Sequence, residues 1–136
     1  MVLPVLLTDT DANDSNKTFT VPTGYIYEIL YGQITMVTSG TAGNRQMVIQ
    51  ILDDEDVEVA TIRAGAVQAA STTRYYEFVQ GVPRETSFVD DSINVAIPDE
   101  FIALPGYDIV IKDIDAIAAT TDDMTVQLMV RKVRRF

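Results

Sequence analysis

Aspartate and glutamate together number 20 in this 136-residue chain, and histidine and cysteine are absent. That inventory removes the usual proton carrier near neutral pH, the usual activator of a nucleophile and the two commonest transition-metal ligands. Carboxylates remain, and two of them flanking a glycosidic bond would suffice for sugar hydrolysis. The acidic residues that can be placed lie mainly in turns: Asp53 to Asp56, Asp90-Asp91, Asp99-Glu100 and Asp122-Asp123. A carboxylate in such a turn is expected to be solvated, so the chain reads as a non-enzyme.

Asp9-Thr-Asp-Ala-Asn-Asp14 opens like a calcium loop, with oxygen ligands at alternate positions. The glycine required at the sixth place is Asp14, and the bidentate glutamate required at the twelfth is Thr20. A solvated turn is the expectation there, and the acidic run at Asp53 to Asp56 reads as an exposed hairpin tip that also discourages edge aggregation. Neither a dinucleotide fingerprint nor a phosphate loop occurs among the glycines. No metal and no cofactor is expected. Tyr25, Tyr27, Tyr31, Tyr75 and Tyr76 could build a sugar-stacking or protein-binding surface, or serve as core and cross-strand packing.

Hydrophobic residues make up 47% of the chain and charged residues 22%, which suits one folded domain over residues 1–136. Apolar runs rich in β-branched and aromatic residues recur between turn formers, and no segment holds a helical period over three turns. Strands are predicted at Val2 to Leu7, Lys17 to Val21, Tyr25 to Val37, Arg45 to Leu52, Val57 to Arg63, Arg74 to Gln80, Ser92 to Ile97, Phe101 to Leu104, Asp108 to Ile114 and Met124 to Val133. Within the third, Gly32 marks a bulge or a change of face. Residues 64–72 read as a long loop or a single helical turn, and residues 83–91 as a loop with room for a short strand at Phe88. About eight or more strands without intervening helices predict an all-β fold: a single antiparallel β-sandwich, jelly-roll-like.

No apolar run approaches the roughly 18 residues a membrane span requires. Met1 to Thr8 is apolar without a basic leader or cleavage site and reads as mature sequence. Formal net charge is -10, yet four of the ten basic residues, Arg131, Lys132, Arg134 and Arg135, fall within the last six positions. An acidic body repels phosphate backbones, so no nucleic-acid partner is expected. The two ends are the candidate interface. Val2, Leu3, Pro4, Val5, Leu6 and Leu7 form an apolar arm ahead of the loop that closes residues 1–16, with Pro4 restricting it to an edge or to docking on a neighbour. Arg131, Lys132, Arg134, Arg135 and Phe136 form the basic end over residues 130–136. Either the ends dock on another molecule, or Leu3, Val5 and Leu7 pack on their own sandwich while the basic side chains face water. On the first alternative, removing either end is expected to leave the isolated fold intact.

Phe19-Thr-Val-Pro-Thr-Gly-Tyr-Ile-Tyr-Glu-Ile-Leu30, then Thr35-Met-Val-Thr-Ser-Gly-Thr-Ala-Gly-Asn-Arg-Gln-Met-Val-Ile49, and later Leu104-Pro-Gly-Tyr-Asp-Ile-Val-Ile111, resemble segments of the small β-sandwich head auxiliary proteins of tailed bacteriophages, called decoration or cement proteins. The likeness covers roughly residues 17–112 and consists of strand-bounding turns, so no site residue is carried across. It implies a virion structural protein, made in the host cytoplasm and placed on the outer capsid surface. It also implies the major capsid protein and copies of itself, often as homotrimers, for partners, with neither membrane nor nucleic acid. A phage tail, neck or baseplate component and a carbohydrate-binding β-sandwich module are the alternatives.

Overall fold

A computed structural model describes residues 2–12 and 16–135 and contains no helix among them. Ten strands form: β1 (Val2–Asp9), β2 (Lys17–Thr20), β3 (Tyr25–Val37), β4 (Met47–Leu52), β5 (Glu58–Arg63), β6 (Thr73–Gln80), β7 (Ser92–Ile97), β8 (Ile102–Ala103), β9 (Asp108–Asp113) and β10 (Asp123–Arg134). They assemble into a larger sheet in the order β1-β10-β3-β6-β7, with β8 added against β3, and a smaller sheet in the order β2-β9-β4-β5.

With β7 and β8 set aside as an insertion, the orders β1-β10-β3-β6 and β2-β9-β4-β5 are those of a jelly roll, in which each long connection carries the chain from one sheet to the other. The sandwich is therefore as expected, with one correction: β7 runs parallel to β6, Tyr75 opposite Ser92 through Gln80 opposite Ile97. The segment 81–91 makes this possible by carrying the chain back before pairing resumes, as a parallel neighbour requires. Residues 64–72 hold no helical turn; Arg45 and Gln68 form an isolated bridge there. No strand forms at Phe88, whose ring instead packs edge-on against Tyr76 at 5.7 Å.

Alternation explains the core. Ile34, Met36, Tyr76, Phe78, Ile93, Val95, Met124, Val126, Leu128 and Val130 point inward from the larger sheet, and Met47, Ile49, Ile51, Ile109 and Ile111 meet them from the smaller one. In β3 the inward positions are Tyr27 and Ile29 before the shift in register and Ile34 and Met36 after it. Met129 lies opposite Tyr31 and Val130 opposite Ile29, which leaves Leu30 as the extra residue of a bulge. The irregularity falls two residues before Gly32, and it turns Tyr31 outward. Gly32 itself permits close packing, since a Cβ there would stand 2.7 Å from Leu128 Cδ1.

The ends of the chain are part of this framework. β1 pairs with β10 along its length, from Val2 opposite Val133 to Asp9 opposite Val126, and Val5 and Leu7 pack against the core. Removing Val2 to Leu7 would take most of β1 from the edge of the larger sheet, and removing residues 131–136 would shorten β10 by its last four residues, so either truncation takes paired strand residues out of that sheet.

Candidate functional site

The proposed interface residues lie far apart in the sequence and together in space. Leu3 pairs with Lys132 and Pro4 with Arg131, so the apolar arm and the basic end form one two-stranded edge. Alternation divides it. Val5 and Leu7 turn toward the core, whereas Pro4 and Leu6 are exposed, Leu6 at 50%. Arg131 lies outward and donates through Nη1 to Glu28 Oε1 at 2.7 Å. Beyond the end of the sandwich, Leu3, Tyr25, Lys132 and Arg134 line a depression of about 250 Å³. Lys132 Nζ stands 4.2 Å from the centre of the Tyr25 ring, which holds the cation against an aromatic face. Arg135 donates its backbone N–H to Gly24 O at 2.7 Å. The side chain of Val2 and all of Phe136 lie outside the described residues.

The bulge in β3 creates a second feature, one that reading the sequence missed. With Tyr31 turned outward, the paired positions Leu6, Met129, Tyr31, Val79 and Ala96 run in register across β1, β10, β3, β6 and β7. They make an apolar row on the outer face of the larger sheet, bordered by the polar row Thr8, Gln127, Gln33, Glu77 and Asn94. Tyr31 is 55% exposed, and Leu6, Met129, Tyr31 and Val79 of the row, with Gln33, Glu77 and Gln127 beside them, line an open depression of about 420 Å³. A broad, shallow, apolar surface of this kind suits contact with another protein surface better than enclosure of a small molecule. The sequence signal was present in the odd-numbered apolar residue Met129 within a strand whose core positions are even-numbered.

The acidic groups do not converge. Among the described residues no three carboxylates are placed to share a metal ion. Asp9, first of the candidate calcium loop, accepts a hydrogen bond from Lys17 Nζ at 3.0 Å, an ammonium that is itself buried. Asp14 lies outside the described residues. Asp53 Oδ1 accepts from the backbone N–H groups of Glu55 and Val57, which shapes the β4–β5 turn and leaves Asp54, Glu55 and Asp56 exposed.

Asp122 departs from the expected solvated turn. It is fully buried, and its carboxylate receives Arg45 Nε at 2.8 Å and Arg45 Nη2 at 3.1 Å, a two-pronged pairing, together with the Ser39 N–H at 2.8 Å. Arg45 Nη1 also donates to Gly43 O at 2.7 Å. Gln68, bridged to the Arg45 backbone, accepts from Tyr76 Oη and donates to Met36 O. This network ties the β3–β4, β5–β6 and β9–β10 connections at one end of the sandwich, which is a structural task. The five tyrosines likewise scatter: Tyr27 and Tyr76 are buried, Tyr25 is half-buried, and Tyr31 and Tyr75 are exposed at separate positions of the outer face.

No protein-family model matches the chain, and no curated protein matches it. Among solved structures it is similar to the infectious bursal disease virus Gx strain structure, with 14% identity and a TM-score of 0.37, covering 94% of this chain and 32% of that one. A T13 particle of the same virus gives 16% identity and a TM-score of 0.33, covering 95% of this chain and 37% of that one. An exo-beta-agarase gives 10% identity and a TM-score of 0.38, covering 98% of this chain and 20% of that one. The chain thus spans well under half of each structure, and likenesses of this size assign neither family nor role.

Proposed function

We propose that this protein is a non-enzymatic virion component, a decoration or cement protein that binds the outer surface of a phage head through the larger sheet. The observation that carries the reading is the row Leu6, Met129, Tyr31, Val79 and Ala96, an apolar stripe spanning a rigid sheet and adjoining the β1–β10 edge. The resemblance of residues 17–112 to head auxiliary proteins supports it, as does a side-chain inventory poor in acid–base groups. The partner is the major capsid protein, with copies of the chain gathered as homotrimers on the shell.

The physical mechanism is added buried area. A contact of standard size, ~1,600 Å² in total, repeated at every equivalent position of a shell, resists separation of capsomers even where each contact is modest. Leu6, Pro4 and Arg131 fall at the rim of the contact, and Tyr31 and Met129 at its centre. Heads lacking the chain, incubated with the purified protein and imaged by cryo-electron microscopy, should show added density over the outer surface. Tyr31→Asp with Leu6→Asp should weaken its binding at least tenfold, a change of about 1.4 kcal/mol or more. Bare heads at saturating protein, or unweakened binding by the doubly substituted chain, would contradict the proposal.

A further inference from the structure

Charge is segregated at one end of the sandwich. The β4–β5 tip exposes Asp54, Glu55 and Asp56, followed by exposed Glu58. Two exposed apolar residues, Val57 at 57% and Val59 at 56%, stand among them. The β1–β10 edge exposes Arg134 and Arg135 beside Leu3, which is 52% exposed. Each patch therefore couples one sign of charge to apolar side chains, and the signs are opposite.

Their placement is constrained by the topology. Arg135 N–H bonds to Gly24 O, Val21 pairs its backbone with Gly106 and Tyr107, and a Cβ on Gly106 would lie 3.5 Å from Asp54 Cβ. Both patches thus sit at the same end of the strands. They lie on opposite flanks: the basic one on the edge of the larger sheet that ends in β1, the acidic one on the edge of the smaller sheet that ends in β5. In the sandwich the β5 flank lies beneath β7, the far edge of the larger sheet from β1.

We infer that the partner of the basic edge is the acidic β4–β5 tip of a second copy of this chain, in a side-by-side contact. Complementary patches at equal height on opposite flanks make a heterologous, side-by-side contact, which closes into a ring where the rotation between copies allows it and otherwise runs on as an open chain. Charges of opposite sign guide the approach, and Leu3 meeting Val57 or Val59 removes apolar surface from water once the copies touch. The inference rests on the isolated chain's surface and stands or falls independently of the proposed role on a head.

Sedimentation velocity of the full chain across a concentration series, at about 25 mM and about 500 mM salt, tests it, because screening by salt weakens exposed charge contacts. The expected result is a reversible, concentration-dependent self-association that weakens at least tenfold at the higher salt. Arg134→Glu with Arg135→Glu should abolish association, and so should Asp54→Lys with Glu55→Lys and Glu58→Lys, each retaining the wild-type circular dichroism spectrum. Mixing these two variants should restore association between unlike copies, since the reversed edge of one then meets the reversed tip of the other. A monomer at every concentration in low salt, association indifferent to either charge reversal, or no recovery on mixing would overturn the inference.

Discussion

Replacing Arg45 by methionine would leave the Asp122 carboxylate buried with its counter-charge gone. Breaking a buried pair from one side costs about 3–5 kcal/mol, whereas replacing both partners by apolar residues costs far less. Urea denaturation should therefore show a large loss for Arg45→Met and a markedly smaller one for Arg45→Met with Asp122→Leu than the two single losses added together. Asp122 was not legible as a core residue because its neighbours Thr120, Thr121 and Asp123 look like turn chemistry, and nothing local in them points to Arg45, 77 positions earlier. Tyr76 supplies a second test at this scale. Burial holds its phenol far above the ordinary value of 10.0, with Arg74 opposing and Asp113 reinforcing the shift, and burial also raises Tyr27. A tyrosine whose folded pKa is raised contributes stability that is complete below pH 10 and is lost as pH climbs above it, because the unfolded phenol ionises first. Denaturation measured at about pH 9 and about pH 11 should show the wild type losing stability between them, and Tyr76→Phe losing less.

Strand positions were largely legible because half-buried sheets impose a period of two on the side chains, and that period survives without knowledge of the partners. β3 over Tyr25–Val37 and β7 over Ser92–Ile97 coincide with the expected runs. What alternation cannot convey is which strand lies beside which. The parallel placement of β7 and the pairing of β1 with β10 depend on contacts across the whole chain, so the two ends looked like independent arms. Their true status predicts a contrast within one strand. Leu7→Ala should cost about 1–3 kcal/mol because Leu7 packs on the core, while Leu6→Ser should stay within about 0.5 kcal/mol because Leu6 faces solvent, as thermal unfolding of both variants would show. Gly65 marks a contact between connections: a Cβ there would come within 1.9 Å of Glu85 O, a backbone atom with little room to yield. Gly65→Ala should destabilise by about 1–3 kcal/mol or more, read by the same unfolding experiment.

At the scale of the molecule, two sheets joined by a continuous core make a slab whose outward features are an apolar row, an open β1–β10 edge and two flanks of opposite charge. Shape and surface chemistry are what such a slab offers a partner, and repetition is what makes modest contacts count. The jelly-roll order of the strands explains how residues from both ends and the middle of the chain reach one outer face. Copy number follows from the proposed role: a shell protein must be present in proportion to the sites of the shell, and a tail or baseplate part in a handful of copies. Quantitative mass spectrometry of purified particles, with the chain measured against the major capsid protein, tests this most directly. Hundreds of copies per particle in a fixed ratio to capsomers are predicted, and a handful of copies or none would contradict the account.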